Sequence, residues 1–166
     1  MSTGKRPSSE EPAWVHGHSH EPNPVSPPDT GAITAVLPDR TKRRITLEFL
    51  YSLPMTSVTD CYIISTGHGA SGPFTFGGVL LRAVLDALLP VGTAWRHVDV
   101  ISADGFGTRL LSEEVLGSPP HRPMLLAYRL DGAPLSRANG LVRLIVPTEI
   151  DDALKQVKWV DRIEIV

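Results

Sequence analysis

Short runs of β-branched and apolar residues, cut by turn-forming dipeptides, dominate this sequence and restrict what it can fold into. Val98 to Ala103 and Phe106 to Leu111 flank Asp104-Gly105, a pair that closes a hairpin readily because both positions tolerate positive φ. Ala32 to Leu37 reads as a strand ending in a Pro38-Asp39 turn, and Ser57 to Ser65 as a second strand. Met124 to Leu130 stops at Asp131-Gly132, and Leu141 to Pro147 and Trp159 to Val166 add two more. Helical signals are fewer. Thr46 can cap a short helix through Leu53, and Val79, Leu80, Val84, Leu85 and Leu88 fall at helical spacing after Gly77-Gly78. Ser112 reads as the N-cap of a one-turn helix whose first turn holds Glu113 and Glu114. Strands outnumber helices and their order does not repeat as strand-helix-strand. The expected fold is therefore α+β, with mixed β-sheets and a few short helices, not a doubly wound sheet.

The first 29 residues carry Pro7, Pro12, Pro22, Pro24, Pro27 and Pro28 among Ser, Glu and His. Such a segment cannot bury enough surface to offset its ordering entropy, which predicts a disordered tail over 1–29 and one folded domain over 30–166. A hydrophobic content of 42% in 166 residues supports a single core. Sixteen basic and eighteen acidic residues are scattered along the chain, giving a net charge of −2. No basic stripe exists to neutralise a phosphate backbone, so nucleic acid is not an expected partner. Cys61 is the single cysteine, which excludes an internal disulfide and a cysteine-cluster zinc site. The run Gly78 to Pro90 is interrupted by Arg82 and Asp86 and the N-terminus lacks an apolar signal region, so a soluble cytoplasmic protein without membrane contact is expected.

Several constellations bear on chemistry. Gly67-His68-Gly69-Ala70-Ser71-Gly72 is a G-x-G-x-x-G string after a strand, where a dinucleotide fingerprint would sit. That motif needs its last glycine in the first turn of a helix, whereas Pro73, Phe74, Thr75 and Phe76 follow here, and Asp86 falls inside the helical run. Two other readings stay open: a surface loop that needs small residues, or a loop that brings backbone N–H groups close to an anionic or polar ligand. In the latter, Ser65, Thr66 and His68 would face the ligand. Arg143 lies in the apolar run Leu141 to Val146, and a half-buried guanidinium needs a carboxylate, phosphate or carbonyl to answer it. Asp131 or Glu164 would serve as a structural partner; a bound ligand is the alternative. His16, His18 and His20 alternate, so an extended chain could present them together to a divalent metal. His97 and His121, beside Arg96 and Arg122, read as surface residues. No nucleophile-base-acid triad can be placed, and a Gly-x-Ser-x-Gly elbow is missing.

The closing segment Asn139-Gly140-Leu141-Val142-Arg143-Leu144-Ile145-Val146-Pro147, followed by Val157-Lys158-Trp159-Val160-Asp161-Arg162-Ile163-Glu164-Ile165, resembles the end of the sulfite-oxidase-type molybdopterin-binding domain. That family closes with a His-Gly-x-Pro-x-Arg strand, a Val-Pro-Gly turn and a Lys-Trp step into a last strand. Further likenesses occur in family order at Thr46-Leu47 to Leu53-Pro54, Gly78 to Leu81, Ser102 to Gly105, and Leu126-Ala127-Tyr128 before Asp131 to Leu135. The resemblance implies a sulfite-oxidase-like fold and a bound molybdopterin or related pterin. It implies cofactor contacts at Arg143 and Lys158; the ligand ring would then lie against the Ser65, Thr66, Gly67 and His68 loop, with Asn139 supplying amide hydrogen bonds. Arg109, which extends from the strand after the Asp104-Gly105 turn, reads as either a further contact or a surface residue.

Members that perform oxidation hold molybdenum through a cysteine at the end of the strand after the Leu-Pro landmark. Here that end is Ser65-Thr66, and Cys61 lies four residues earlier. Cys61 is thus either a small core residue or a displaced molybdenum ligand. Asn139 replaces the family's His, Leu141-Val142 replaces x-Pro, and Glu149, Asp151 and Asp152 follow the Pro147 turn. The expectation is the bare pterin-binding unit acting as a sensor, carrier or accessory subunit, with a protein partner possible. The alternatives are a molybdenum oxidoreductase using Cys61, or an interaction module that has lost the pocket.

Overall fold

A computed structural model of the chain describes residues 32–65, 69–136, 141–148 and 156–166, with backbone alone for 63–65 and 69–71. The proposed tail, with His16, His18 and His20, lies outside these residues, as do Thr66, Gly67, His68, Asn139 and the acidic stretch after Thr148.

Two five-stranded sheets pack face to face. The first has the order β2-β1-β10-β5-β6, built from β1 (Ile33–Val36), β2 (Lys42–Ile45), β5 (His97–Ser102), β6 (Gly107–Leu111) and β10 (Val160–Ile165). The chain's first and last strands lie side by side in parallel, with Ala35 opposite Ile163, and every other pairing is antiparallel. The expected hairpin across Asp104-Gly105 joins β5 to β6, with Val100 opposite Thr108. The second sheet contains β3 (Thr56–Ser65), β4 (Gly69–Leu80), β7 (Leu125–Leu130) and β8 (Ala133–Pro134), and β9 (Arg143–Ile145) pairs with β7. The mixed α+β architecture thus matches the expectation from the sequence.

Alternation explains the layers. Ile33, Ala35, Val98, Val100, Leu110, Ile163 and Ile165 of the first sheet meet Val79, Leu126, Tyr128 and Leu144 of the second in the main core. The intervening positions of the second sheet point away from that core. They build a smaller apolar cluster of Val58, Cys61, Phe76, Leu125, Ala127, Leu135 and Ile145 on its outer face. That outer face positions the candidate site.

Three short helices complete the fold: α1 (Leu47–Tyr51), α2 (Leu81–Leu88) and α3 (Ser112–Leu116). Thr46 caps α1 by accepting from the Phe49 N–H at 3.1 Å, as its position predicts. The helix expected from Val79 starts two residues later. Val79 and Leu80 instead end β4, because the strand continues through the supposed glycine loop and pairs with β7. Gly78 makes that pairing possible: a Cβ there would lie 2.1 Å from the Leu126 carbonyl oxygen. No loop intervenes before α2, and the Leu81 N–H donates to the Met124 carbonyl at 2.9 Å instead of a side-chain cap. A strand therefore follows the G-x-G-x-x-G string where a dinucleotide site needs a helix. Ser112 also differs from expectation: Leu111 occupies the N-cap of α3, and the Ser112 N–H donates to the Arg96 carbonyl. Among the described residues no helix is long and apolar enough to cross a membrane.

A buried cation on the outer face of the second sheet

Arg143 is 5% exposed and stands on β9 opposite Ala127. Its neighbours Leu144 and Val142 turn into the main core, so the guanidinium is carried onto the outer face with Ile145 and Ala127. Phe76 projects from β4 onto the same face, and the Arg143 Cζ lies 5.3 Å from its ring centroid. That stacking offsets part of the desolvation. The Arg143 Nε remains buried with no hydrogen-bond partner among the described residues. Neither structural partner expected from the sequence answers it. The Asp131 carboxylate accepts from the Thr75 N–H at 2.9 Å, and Glu164 pairs with Arg162 at 2.8 Å on the first sheet. Burial pushes the Arg143 guanidinium down to about 10, so it remains charged at neutral pH in a site that disfavours the charge.

A second cation lies near it. Leu144 and Val157 form an antiparallel bridge with reciprocal N–H···O bonds of 2.8 and 3.2 Å. Lys158 follows this bridge, close enough to Arg143 for the two charges to act on each other. Trp159 follows at φ +48, and this left-handed turn redirects the chain into β10 while its indole is buried. The Lys158 Nζ lies 5.8 Å from the Trp159 ring centroid. Burial holds the Lys158 ammonium below the ordinary lysine range, the Arg143 charge lowers it further, and Asp104 partly opposes both. Arg143, almost wholly desolvated, and Lys158, partly so, are like charges that raise each other's cost, which a counter-charge would relieve.

Arg109 is not part of this cluster. It extends from β6 on the far face of the first sheet and grips Asp99 with two bonds, Nε to Oδ1 at 2.7 Å and Nη2 to Oδ2 at 3.0 Å. Asp99 is itself 3% exposed, so the pair closes on itself there. The main core lies between Arg109 and Arg143.

Cys61 shares the outer face with Arg143. It is 3% exposed and belongs to the cluster that contains Phe76. Its thiol points at the Val58 carbonyl at 3.5 Å, and burial pushes the thiol up, with Arg122 the largest opposing influence. Among the described residues no group of three His, Cys, Asp or Glu side chains could hold a metal ion. Of the other residues expected at the site, Ser65 ends β3 with only its backbone described.

Phe76 and Arg122 were not singled out by the sequence. The Phe74, Phe76 alternation marks a strand face, but which face depends on the continuation of β4 through Gly78. Arg122 reaches three backbone carbonyls remote in sequence, and nothing local announces that.

Comparison with known proteins adds two findings. The family described as the oxidoreductase molybdopterin binding domain matches residues 38–166. Among solved structures, the sulfane dehydrogenase SoxCD from Paracoccus pantotrophus aligns with a TM-score of 0.63 at 21% identity. That alignment covers 81% of this chain and 37% of the other, so the present chain spans little more than a third of its neighbour. A search of curated proteins returns no match.

Proposed function

This chain belongs to the oxidoreductase molybdopterin binding domain family and has its sulfite-oxidase-like fold, and from that premise we propose that it binds molybdopterin or a related pterin on the outer face of its second sheet. The observation that carries the reading is the buried Nε of Arg143, which has no acceptor among the described residues and has Lys158 nearby. A pterin phosphate or ring carbonyl supplies the missing acceptor, and Arg143 can offer it a planar fork of donors while Lys158 contributes a point charge. The residues present fit such an anionic group. Asn139 and the Ser65, Thr66, Gly67 and His68 segment are proposed as further contacts, with amide and backbone donors for the ring. Arg109 is left out of the site because Asp99 already engages it on the other side of the core.

The role proposed is that of a sensor, carrier or accessory subunit serving a protein partner. Cys61 is held as a thiol, raised by burial and aimed at a backbone carbonyl, whereas metal ligation needs the thiolate. A second reading is favoured by one observation, the placement of Cys61 on the same face as Arg143. In that reading the cofactor would carry molybdenum and supply two-electron or oxygen-atom transfer, with Cys61 as its protein ligand.

The test is made on protein purified from its native host, by elemental analysis for molybdenum and tungsten with acid-released pterin fluorescence on the same sample. Pterin without metal, retained by Cys61→Ser, supports the carrier reading. Metal and pterin near one per chain, both lost in Cys61→Ser, move the assignment to the oxidoreductase. Pterin absent from the wild type, or bound equally well by Arg143→Met, overturns the site.

A further inference from the structure

β3 does not alternate regularly, and the irregularity decides which side chain reaches the proposed site. Val58 pairs with Phe76 and Cys61 with Phe74, so three steps along β3 oppose two along β4. Asp60 takes up the extra residue at φ +53. Without that bulge, residues 58, 60 and 62 would share a face, and Cys61 would point away from Phe76. With it, Val58 and Cys61 both enter the outer cluster, while Asp60 and Tyr62 remain exposed.

A bulge frees backbone carbonyls from the ladder, and these need donors. Arg122, in the connection between α3 and β7, supplies them. Its Nη1 donates to the Thr59 carbonyl at 2.5 Å, and its Nη2 donates to the Asp60 carbonyl at 3.1 Å. The same Nη2 reaches the Pro147 carbonyl, again at 3.1 Å, just beyond β9. One guanidinium thus ties the bulge to the end of the strand that carries Arg143. On the partner strand Gly72 leaves room for the displaced backbone, because a Cβ there would lie 2.7 Å from the Cys61 carbonyl oxygen.

We propose that Arg122 is a positioning residue: by clamping the Thr59-Asp60 bulge against the Pro147 turn, it sets the strand register that points Cys61, in place of Asp60 and Tyr62, onto the face bearing Arg143. The significance of that face rests on the pterin reading above, while the clamp itself is a property of the ligand-free chain. Lysine cannot replace the fork, since a single ammonium does not span carbonyls from two segments in this geometry.

The experiment is alkylation of Cys61 by N-ethylmaleimide in the full-length, ligand-free protein at fixed pH. Loss of a neighbouring cation would by itself make the thiolate rarer and slow the reaction, so acceleration reports exposure of the thiol. Arg122→Ala and Arg122→Lys are each expected to accelerate labelling by about tenfold or more through local opening of the bulge. Ile33→Ala, which trims a buried side chain of β1 in the main core, should leave the rate within about twofold of wild type under native conditions, because it lies on the other sheet, away from Arg122. The clamp is overturned if Arg122→Lys labels like the wild type, which would make charge sufficient, or if Ile33→Ala accelerates labelling as much. Loss of the pterin site, read from Arg143→Met, leaves this result untouched, so the two proposals fail separately.

Discussion

Replacing Arg143 by Met should stabilise the ligand-free protein while removing its ligand affinity. The guanidinium is 5% exposed, and burial lowers it from the ordinary arginine range to about 10. That depression corresponds to a cost of about 3 kcal/mol for holding the charge in the folded state. The stacking on Phe76 returns about 2 kcal/mol, which Met gives up in part while keeping an apolar contact with the ring. A net gain of about 1 kcal/mol follows, seen as a rise of about 3 °C in Tm or a shift of the urea midpoint at constant slope. The pH dependence is fixed in sign. A cation whose folded value lies below its free value destabilises the fold fully at neutral pH, and that cost is relieved progressively as pH rises above about 10 toward the free value. The difference between Arg143→Met and wild type should therefore be flat from neutral to mildly alkaline pH and shrink above it. A loss of more than about 1 kcal/mol in Arg143→Met, measured without ligand, would mean that the folded protein already satisfies the guanidinium, and the anion-site argument would fail.

Lys158→Met should also raise ligand-free stability, and the double variant with Arg143→Met should gain less than the sum by about 0.5 kcal/mol or more, since removing either cation relieves the same repulsion; additive urea midpoints would show that the two do not act on each other. Pterin binding by Lys158→Met should weaken by about tenfold or more, as expected for a lost charge-assisted contact, in fluorescence titration. Gly78→Ala should cost about 3 kcal/mol, because its new methyl meets the β7 backbone and not a side chain that can move aside; a wild-type Tm would show that β4 and β7 separate easily. Asp99→Asn should lower stability by about 1 kcal/mol, a figure reduced because the Arg109 side chain is 41% exposed. It should leave pterin affinity unchanged, and a weakened affinity would place Arg109 in the site after all.

What the sequence made legible follows from which physical signals are local. The β5–β6 hairpin and β7 announced themselves through Asp-Gly turns and apolar runs, and the α1 cap through Thr46. β2 did not, because Lys42-Arg43-Arg44-Ile45 lies at the edge of its sheet with three exposed cations and a single buried residue, a pattern that discourages edge pairing. The start of α2 was misplaced because Val79 and Leu80 satisfy helical spacing and also suit a strand with apolar clusters on both faces. Arg143 was legible as a charge in an apolar strand, but its company was not. Lys158 is brought near it by the Leu144-Val157 bridge and the left-handed Trp159, and Cys61 is turned toward its face by one extra residue in β3. Register and bulges are set by partners far away in the chain, so periodicity counted along one strand assigns such residues to the wrong face.

The two buried charges among the described residues make the argument for a ligand by contrast. Asp99 lies on the outer face of the first sheet and is closed by a bidentate arginine. Arg143 lies on the outer face of the second and has an aromatic ring beneath it, a lysine nearby, and no acceptor for its Nε among the described residues. The first arrangement is complete without any further molecule. The second carries a burial cost of about 3 kcal/mol, of which the ring returns about 2. A ligand that binds only the folded chain stabilises it by about 2.7 kcal/mol when present at a hundred times its Kd, more than the remainder. Under the proposed pterin reading, an anionic ligand would therefore offset what the stacked guanidinium still costs.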